Sequence, residues 1–332
     1  TALDYYFFLA ETVEIPLSDE RELFELRYMP AGQAELKAIN IKKDGSTGRV
    51  LYQRRFDERY TKEIRIYSFG GDDRYEVKGE ASNQMKVRMI GGAGVDEFQI
   101  SPALKNNRKL FIYDRLDENN VVPDRGVAKL KLANDTLVNQ YHKRSFLFDR
   151  FGPQFSASYS LDQGLQIGAG LIYEKQGFRK TPYAVKHEFW ANYTTGRESF
   201  RLDYTGDFKE VIGKYDLKID ANSLGPHHLG NFFGLGNETA FIDTDERGMP
   251  YYRNRFDYVQ ADFKLARQFR PDLKVEAGIA TSFYTSKASA NQQRFLTDFE
   301  RTRPEEAVFS DRFYAGLVTN LIYDTRDQVA MP

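Results

Sequence analysis

The second half of the chain alternates apolar and polar residues with a period of two through eight consecutive stretches. In SFRLDYTGDF, which starts at Ser199, Leu202 and Tyr204 lie on one face, whereas Arg201 and Asp203 lie on the other. Successive side chains of a strand point to opposite faces, so each stretch has one apolar and one polar face. The stretches reach about ten residues, longer than the usual strands of soluble sandwiches and long enough for a tilted strand to cross a bilayer. The pattern predicts an all-β fold with a transmembrane β-barrel wall.

The same alternation assigns two sets of residues to opposite faces of this wall. We expect the apolar set to face lipid and the charged set to face the lumen. The interior of a closed eight-stranded barrel is only wide enough for side chains, so it would leave several of these charges unpaired. We therefore expect about eight antiparallel strands that form the first half of a larger barrel. The apolar set is Leu202, Tyr204, Leu217, Ile219, Val275 and Ile279, and the charged set is Arg201, Asp203, Asp216, Lys218, Lys274 and Glu276.

The connections between the stretches differ in length in a regular way. Long ones, about 224–254 and about 286–309, follow the fifth and seventh stretches, and short ones follow the second, fourth and sixth. Outer-membrane barrels have short periplasmic turns and longer extracellular loops. This phase predicts that the first strand rises from the periplasm.

The first half of the chain contains a repeat. IRIYSFGGDDRYEV starts at Ile64, VRMIGGAGVDEFQI starts at Val87 (87 − 64 = 23), and a weaker copy starts at Leu110 (110 − 87 = 23). This repeat predicts stacked β-coils or a meander, with positive φ at Gly71 and Gly94 in the corners. Alternating segments around KKDGSTGR predict antiparallel hairpins upstream, and no segment of this half predicts a helix. A polar, turn-rich segment at 114–145 divides the chain into a β-rich module, 1–145, and the barrel part, 146–332.

Composition removes several classes of protein. The 332 residues carry a net charge of −1 without a basic run, which argues against nucleic acid as a partner. No stretch approaches the ~18 apolar residues of a transmembrane helix. The absence of cysteine excludes disulfides and cysteine-ligated metals.

Candidate chemistry in the sequence is sparse. GGAGVD, from Gly91 to Asp96, resembles half of a calcium-binding turn, and GGDD ends at Asp73. Calcium-binding rolls need such turns in tandem, whereas these copies are 23 residues apart, so we interpret them as glycine corners and predict no metal site and no cofactor. Asp73 and Asp96 are the candidates for the calcium alternative. The chain contains no GxSxG, HExxH or P-loop motif, and its histidines form no recognisable site, so we predict that it is not an enzyme.

Four segments together resemble a known family. They are EIRIYSFGGDDRYEV with VRMIGGAGVDEF, the predicted hairpin segment LQIGAGLIYEKQGFRKTPYAVKHEF, the predicted loop segment NFFGLGNET, and YDTRDQVAMP. They are similar to the BamA/TamA outer-membrane assembly superfamily, in its Bacteroidota branch. The last segment resembles that family's internal turn, which is carried here by Asp324, Thr325, Arg326, Asp327 and Pro332.

The resemblance implies a bacterial outer-membrane protein whose N-terminal module lies in the periplasm. It implies that client proteins are inserted or translocated through a lateral seam at the first strand, about 152–161, by β-augmentation and without a cofactor. Outer-membrane lipid, client outer-membrane proteins and accessory subunits or lipoproteins are the partners implied. The branch often carries a calcineurin-like phosphoesterase domain upstream, whose metal-binding motifs do not occur in this sequence. The expected seam residues are Phe155, Ser156, Ala157, Ser158 and Tyr159.

Two other classes of protein are alternatives to this assignment. A passive porin or outer-membrane transporter would show the same alternation. An outer-membrane enzyme would need Asp/His or Ser/His pairs clustered at the rim. The opening TALDYYFFLAETVEIPL lacks the features of a signal peptide, and the chain stops just after a strand pattern, so we interpret it as an internal piece of a longer protein.

Overall fold

The computed structural model describes residues 2–79, 84–104, 107–124, 126–141, 147–161, 164–196, 198–237, 239, 241–242, 244 and 247–326. The fold is all-β, as predicted, and it forms two compact units, residues 1–145 (unit 1) and 146–332 (unit 2). Among the described residues, no helix has the length and apolar character needed to cross a membrane.

The described residues of unit 1 form one helix, ten strands and two single 3-10 turns, Asn107–Lys109 and Thr136–Asn139. One sheet is wholly parallel, in the order β1-β5-β7-β9-β10, and the other has the order β4-β3-β2-β6-β8. The elements are α1 (Ala2–Glu11), β1 (Thr12–Pro16), β2 (Glu22–Met29), β3 (Gln33–Ile41), β4 (Thr47–Asp57), β5 (Glu63–Tyr67), β6 (Arg74–Lys78), β7 (Lys86–Ile90), β8 (Glu97–Ile100), β9 (Leu110–Arg115) and β10 (Lys129–Ala133).

The 23-residue offset seen in the sequence is the register of this parallel stack. Ile64 pairs with Val87, and Val87 pairs with Leu110. The chain therefore forms stacked coils rather than a meander, and it crosses from the first sheet to the second at a glycine corner between β5 and β6 and again between β7 and β8. Gly71 has φ 103° and Gly94 has φ 143°, so both corners use backbone conformations that favour glycine. The predicted hairpins are confirmed in β2-β3-β4.

The core of unit 1 lies between its two sheets. Successive coils place equivalent side chains above one another, and the rings of Phe24, Tyr75 and Phe98 stack with centroids 4.5 and 4.7 Å apart. All three rings are buried, so this column combines apolar burial with offset stacking.

The prediction that unit 1 contains no helix was wrong at its N-terminal end. Helix α1 has no polar face that would mark it as amphipathic, because Leu3, Tyr5, Tyr6, Phe8 and Leu9 are all exposed on it. Aromatic residues are only moderate helix formers, and an apolar segment of this length carries no helical period in its sequence. A stacking contact between Phe7 and Tyr60, with centroids 4.9 Å apart, joins α1 to the turn after β4.

Within the described ranges, the strands of unit 2 form one antiparallel sheet of eight strands in sequence order. The turns that follow the second, fourth and sixth strands have two residues each, and the long connections are 232–252 and 286–311. The first long connection is shorter than predicted, because a bulge lets its strand continue to Asn231. The strands are β11 (Arg150–Ser160), β12 (Gly164–Gly177), β13 (Lys180–Thr194), β14 (Ser199–Ile212), β15 (Tyr215–Asn231), β16 (Arg253–Arg270), β17 (Leu273–Thr285) and β18 (Arg312–Tyr323). The long connections contain α2 (Met249–Tyr252), α3 (Phe295–Thr302) and the 3-10 turns Ala288–Asn291 and Pro304–Glu306.

Candidate functional site: a two-faced sheet with open edges

One face of the unit 2 sheet is apolar and exposed. The register places Ile219 beside Phe263 and Phe263 beside Ile279, so apolar residues form rows across the strands. Phe263 and Ile279 are 48% and 53% exposed, and Leu202 is 41% exposed. These rows give the sheet a continuous apolar face, which a soluble sheet would cover with another layer. The predicted apolar set lies on this face.

The opposite face carries a network of ion pairs. Glu276, which is only 4% exposed, lies 2.6 Å from the Nζ of Lys218 and 3.0 Å from the Nζ of Lys274. Lys209 bridges Asp207 and Asp216 at 3.0 and 3.1 Å. Further pairs on this face join Lys264 to Asp220, Lys186 to Glu188 and Arg201 to Asp203. The predicted charged set therefore lies on one face, opposite the apolar set, and most of its charges are paired with one another.

Both edges of the sheet are open. No pairing between β11 and β18 occurs in the described part of the chain, which includes both strands completely. Phe155 in β11 is 79% exposed and Leu317 in β18 is 90% exposed, more than apolar residues of the central strands. The prediction that these eight strands do not close on themselves agrees with this arrangement. Each edge presents unpaired backbone groups to a further strand.

The predicted seam residues lie in β11. Phe155, Ala157 and Tyr159 continue the apolar face, whereas Ser156 and Ser158 point to the polar side. Pro153 removes one backbone donor from this strand. Opposite Ser156, Gly168 leaves room for the Ser156 hydroxyl and the Asn192 amide, and a methyl group at Gly168 would overlap both. Strand β11 is paired with β12 along its whole length, and the side chain that it presents to Gly168 is small.

The predicted family turn follows β18 directly. Arg326 donates from its main-chain N–H and from its guanidinium to the carboxylate of Asp324, and the main-chain N–H of Asp324 donates to the carbonyl of Asp272 at 2.9 Å. Thr325 is exposed between them. Asp327 and Pro332 lie outside the described residues.

The two long connections of unit 2 pack together beyond one end of the sheet. Phe232 contacts Phe299 at a centroid distance of 5.1 Å, and Tyr252 contacts Phe295 at 5.3 Å. The fully buried Asn291 accepts from the Arg255 main-chain N–H at 2.7 Å and donates to the Arg255 carbonyl. These contacts give the two loops a small aromatic core of their own. The apolar residues that follow Asn231 therefore pack against the other loop near the strand ends.

Two histidines of unit 2, His187 and His228, have described side-chain contacts that bear on the enzyme alternative. His187 lies on the apolar face, where its Nδ1 is 2.9 Å from the Tyr204 hydroxyl. The Ser199 hydroxyl lies 3.5 Å from Nδ1 of His228, which is the pair that the enzyme alternative requires. Ser199 is only 3% exposed, so this hydroxyl is closed to a substrate and the pair does not favour that alternative.

In unit 1, the corners of the coils bury a ladder of carboxyl and amide groups. Asp73 accepts from the main-chain N–H of Glu22 at 2.7 Å, and Asp96 accepts from that of Asp73 at 2.8 Å. The amide oxygen of Asn120 accepts from the main-chain N–H of Asp96 at 2.8 Å. Each coil thus fixes the corner of its neighbour with one side-chain oxygen. Within the described residues, no group of three or more His, Cys, Asp or Glu side chains is placed to hold a metal ion.

Sequence reasoning found Asp73 and Asp96 but missed Asp114, which is fully buried beside Asp96. Burial raises the pKa of Asp73 to about 8, and burial also raises the pKa of Glu22. The weak third copy of the repeat, which begins at Leu110, contains Asp114 and was the signal that could have found it.

The chain matches no family model, no curated protein and no solved structure.

Proposed function

We propose that unit 2 is part of an outer-membrane β-barrel of the assembly or translocation superfamily, and that unit 1 is its periplasmic module. The observation that carries the proposal is an eight-stranded antiparallel sheet with one exposed apolar face, one ion-paired face and two unpaired edges. Outer-membrane strands alternate in this way because one face contacts lipid and the other contacts a watered lumen.

The energetics favour lipid as the environment of the apolar face. Removing apolar surface from water is worth about 25 cal/mol per Å², and soluble monomers rarely expose contiguous apolar patches of more than a few hundred Å². The paired charges of the other face suit a watered lumen, since a narrow dry interior would penalise each imperfect pair.

In this proposal, β11 is the seam at which a client strand is accepted. An open edge adds an extended strand through main-chain hydrogen bonds, with specificity supplied by alternate side chains. The side chains of Ser156 and Ser158 are small and offer few contacts. A partner strand at this edge is therefore bound mainly through main-chain hydrogen bonds and can be exchanged. A passive porin or transporter is the alternative, and it needs no exchange at β11.

The membrane part of the proposal is tested with single cysteines, which the cysteine-free sequence allows. Leu202→Cys and Asp203→Cys are adjacent in β14 but lie on opposite faces. Spin labels at these positions, in vesicles, should be accessible to oxygen at Leu202 and to a water-soluble nickel complex at Asp203. Equal access to the nickel complex at both positions would contradict the lipid assignment.

The seam is tested by disulfide trapping of a client. Ser158→Cys in β11 should cross-link to a cysteine in the last strand of an outer-membrane client during its insertion. Val318→Cys in the opposite edge strand is the matched control and should cross-link less. Equal trapping at both edges, or ion conductance in planar bilayers without any trapping, would support the pore instead.

A further inference from the structure

Two buried carboxyl groups of unit 1 meet over a glycine. Asp96 and Asp114 are both 0% exposed, and in each of them Oδ2 has no hydrogen-bond partner among the described residues. The two Oδ2 atoms lie against the same side of Gly91, where a methyl group would overlap both. Residue 91 therefore has no side chain at the point where the two carboxyl groups converge.

The groups that surround this pair are mostly acidic. Asp73, in the neighbouring coil, is 2% exposed, and its Oδ2 also has no hydrogen-bond partner among the described residues. The same is true of Oε2 of the fully buried Glu22. The hydroxyl of the buried Tyr75 hydrogen-bonds with Ser68, and Asp72 accepts the main-chain N–H of Val95. Glu118, which follows β9, adds another buried oxygen without a partner.

The basic side chain nearest to Asp114 in the sequence is paired with other acids. The guanidinium of Arg115 lies 2.6 Å from Asp117 and 3.4 Å from Glu118. Only its main-chain N–H reaches Asp114, at 2.8 Å. In the described ranges, no lysine, arginine or histidine forms an ion pair with Asp73, Asp96 or Asp114.

Such a cluster cannot remain fully ionised. An unpaired buried carboxylate costs several kcal/mol, and two that face each other cost more, so the charge is removed by a proton or by a bound cation. A calcium ion needs six to eight oxygen ligands, and the described acids do not converge in groups of three. Two carboxyl groups that meet in a dry site are the arrangement in which one proton serves both.

We propose that Asp96 and Asp114 share a proton over Gly91, and that this proton makes the coil stack of unit 1 a pH-sensitive element. With the proton bound, coils β7-β8 and β9 remain stacked. When it is lost, the two carboxylates repel each other at the corner and the stack opens locally. Burial raises the pKa of both groups, and the neighbouring Asp96 charge raises that of Asp114 further.

Proton linkage gives the direction in which the stability of unit 1 changes with pH. Both folded-state values lie above the ordinary pKa of aspartate, about 3.9, so the folded unit binds more protons than the unfolded chain above that pH. The stabilisation is fully present below about pH 4 and is lost as the pH rises through the folded-state values. One linked proton changes the local opening constant by up to tenfold per pH unit.

The test is hydrogen exchange of the whole chain in detergent micelles, followed by mass spectrometry across a series of pH values. After correction for intrinsic exchange rates, protection of β7 and β9 should fall by up to tenfold per pH unit from acidic to mildly alkaline pH. Asp114→Asn keeps the shape of the side chain and removes its titration, so it should make this dependence clearly weaker, with the remainder contributed by Asp73. Asp96→Asn should do the same while its amide oxygen still accepts the Asp73 N–H. Asp124→Asn, at an exposed position in the connection that follows β9, is the matched control and should leave the dependence unchanged.

Two outcomes would overturn the proposal. One is an unchanged pH dependence in both Asp96→Asn and Asp114→Asn. The other is a gain in protection on adding millimolar calcium that both variants lose, which would mean that a cation, not a proton, neutralises the pair. Neither outcome depends on whether unit 2 is a membrane barrel, so this test is independent of the proposed function.

Discussion

The Nζ of Lys218 in β15 lies 2.6 Å from the carboxylate of Glu276 in β17, across the intervening strand β16. Glu276 also contacts Lys274 at 3.0 Å and accepts from the Asn320 amide at 3.3 Å, so one carboxylate joins three strands on the polar face. These contacts lie on the face that the charged residues share, and they place Glu276 at the centre of a network that includes Lys218, Lys274 and Asn320.

Glu276→Gln should destabilise unit 2. The change leaves Lys218 and Lys274 close together with one charge fewer between them, and removing one member of a buried pair costs about 3–5 kcal/mol. Because both lysines are partly exposed, we expect about 1–2 kcal/mol, measured as a lower urea midpoint in micelles. Asp203→Asn, which breaks the more exposed pair with Arg201, is the control and should cost less than about 1 kcal/mol. Equal shifts of the urea midpoint in both variants would show that the Glu276 network stabilises unit 2 no more than the exposed pair does.

Ile279→Lys should be far more costly in a bilayer than Ala280→Lys. The two positions are adjacent in β17, but Ile279 pairs with Phe263 on the apolar face, whereas Ala280 pairs with Asp262 on the polar face. A lysine at the bilayer midplane costs about 2–4 kcal/mol, and one in a watered lumen costs little. The measurement is the folded fraction in vesicles over a urea series. Similar losses for the two variants would argue against lipid on the Ile279 side.

Gly94→Ala should destabilise unit 1. Gly94 has φ 143°, and an added methyl group would collide with the Gly71 carbonyl of the neighbouring coil. Strain at such a φ costs about 1–3 kcal/mol before any clash is counted. Thermal unfolding should therefore begin at a lower temperature. Gly126→Ala is the control, since nothing lies within 4 Å of its added methyl group, and it should leave the unfolding temperature nearly unchanged.

Asp73 should make the stability of unit 1 fall as the pH rises. Its pKa is about 8 in the folded chain, against an ordinary value of 3.8, so the folded state holds a proton that the unfolded state releases. The contribution is complete below about pH 4 and is lost by pH values above the folded-state value. Asp73→Asn should make the dependence of the free energy of unfolding on pH weaker between these limits, while Asp96 and Asp114 keep their share of it. Denaturant titrations of both proteins at several pH values check this, and parallel curves would contradict it.

The sequence by itself determined the strands, their faces and the offset of the repeat. Leu202 and Asp203 fall on opposite faces because a strand has a period of two, which is local geometry that no partner needs to supply. Ile64 and Val87 share a register because identical spacing in successive coils stacks equivalent residues. The long and short connections likewise followed from where the alternation stops.

Other features depended on contacts between distant segments. Helix α1 was missed because it has no polar face, and its packing on Tyr60 is a tertiary contact. The Asp96–Asp114 pair, the reach of Glu276 to Lys218 and the packing of the two long loops each join residues far apart in the chain. Alternation tells which way a side chain points but not which residue it meets. That is decided by how coils stack and strands pair, because an unpaired buried charge or amide is costly enough to select among arrangements with the same local pattern.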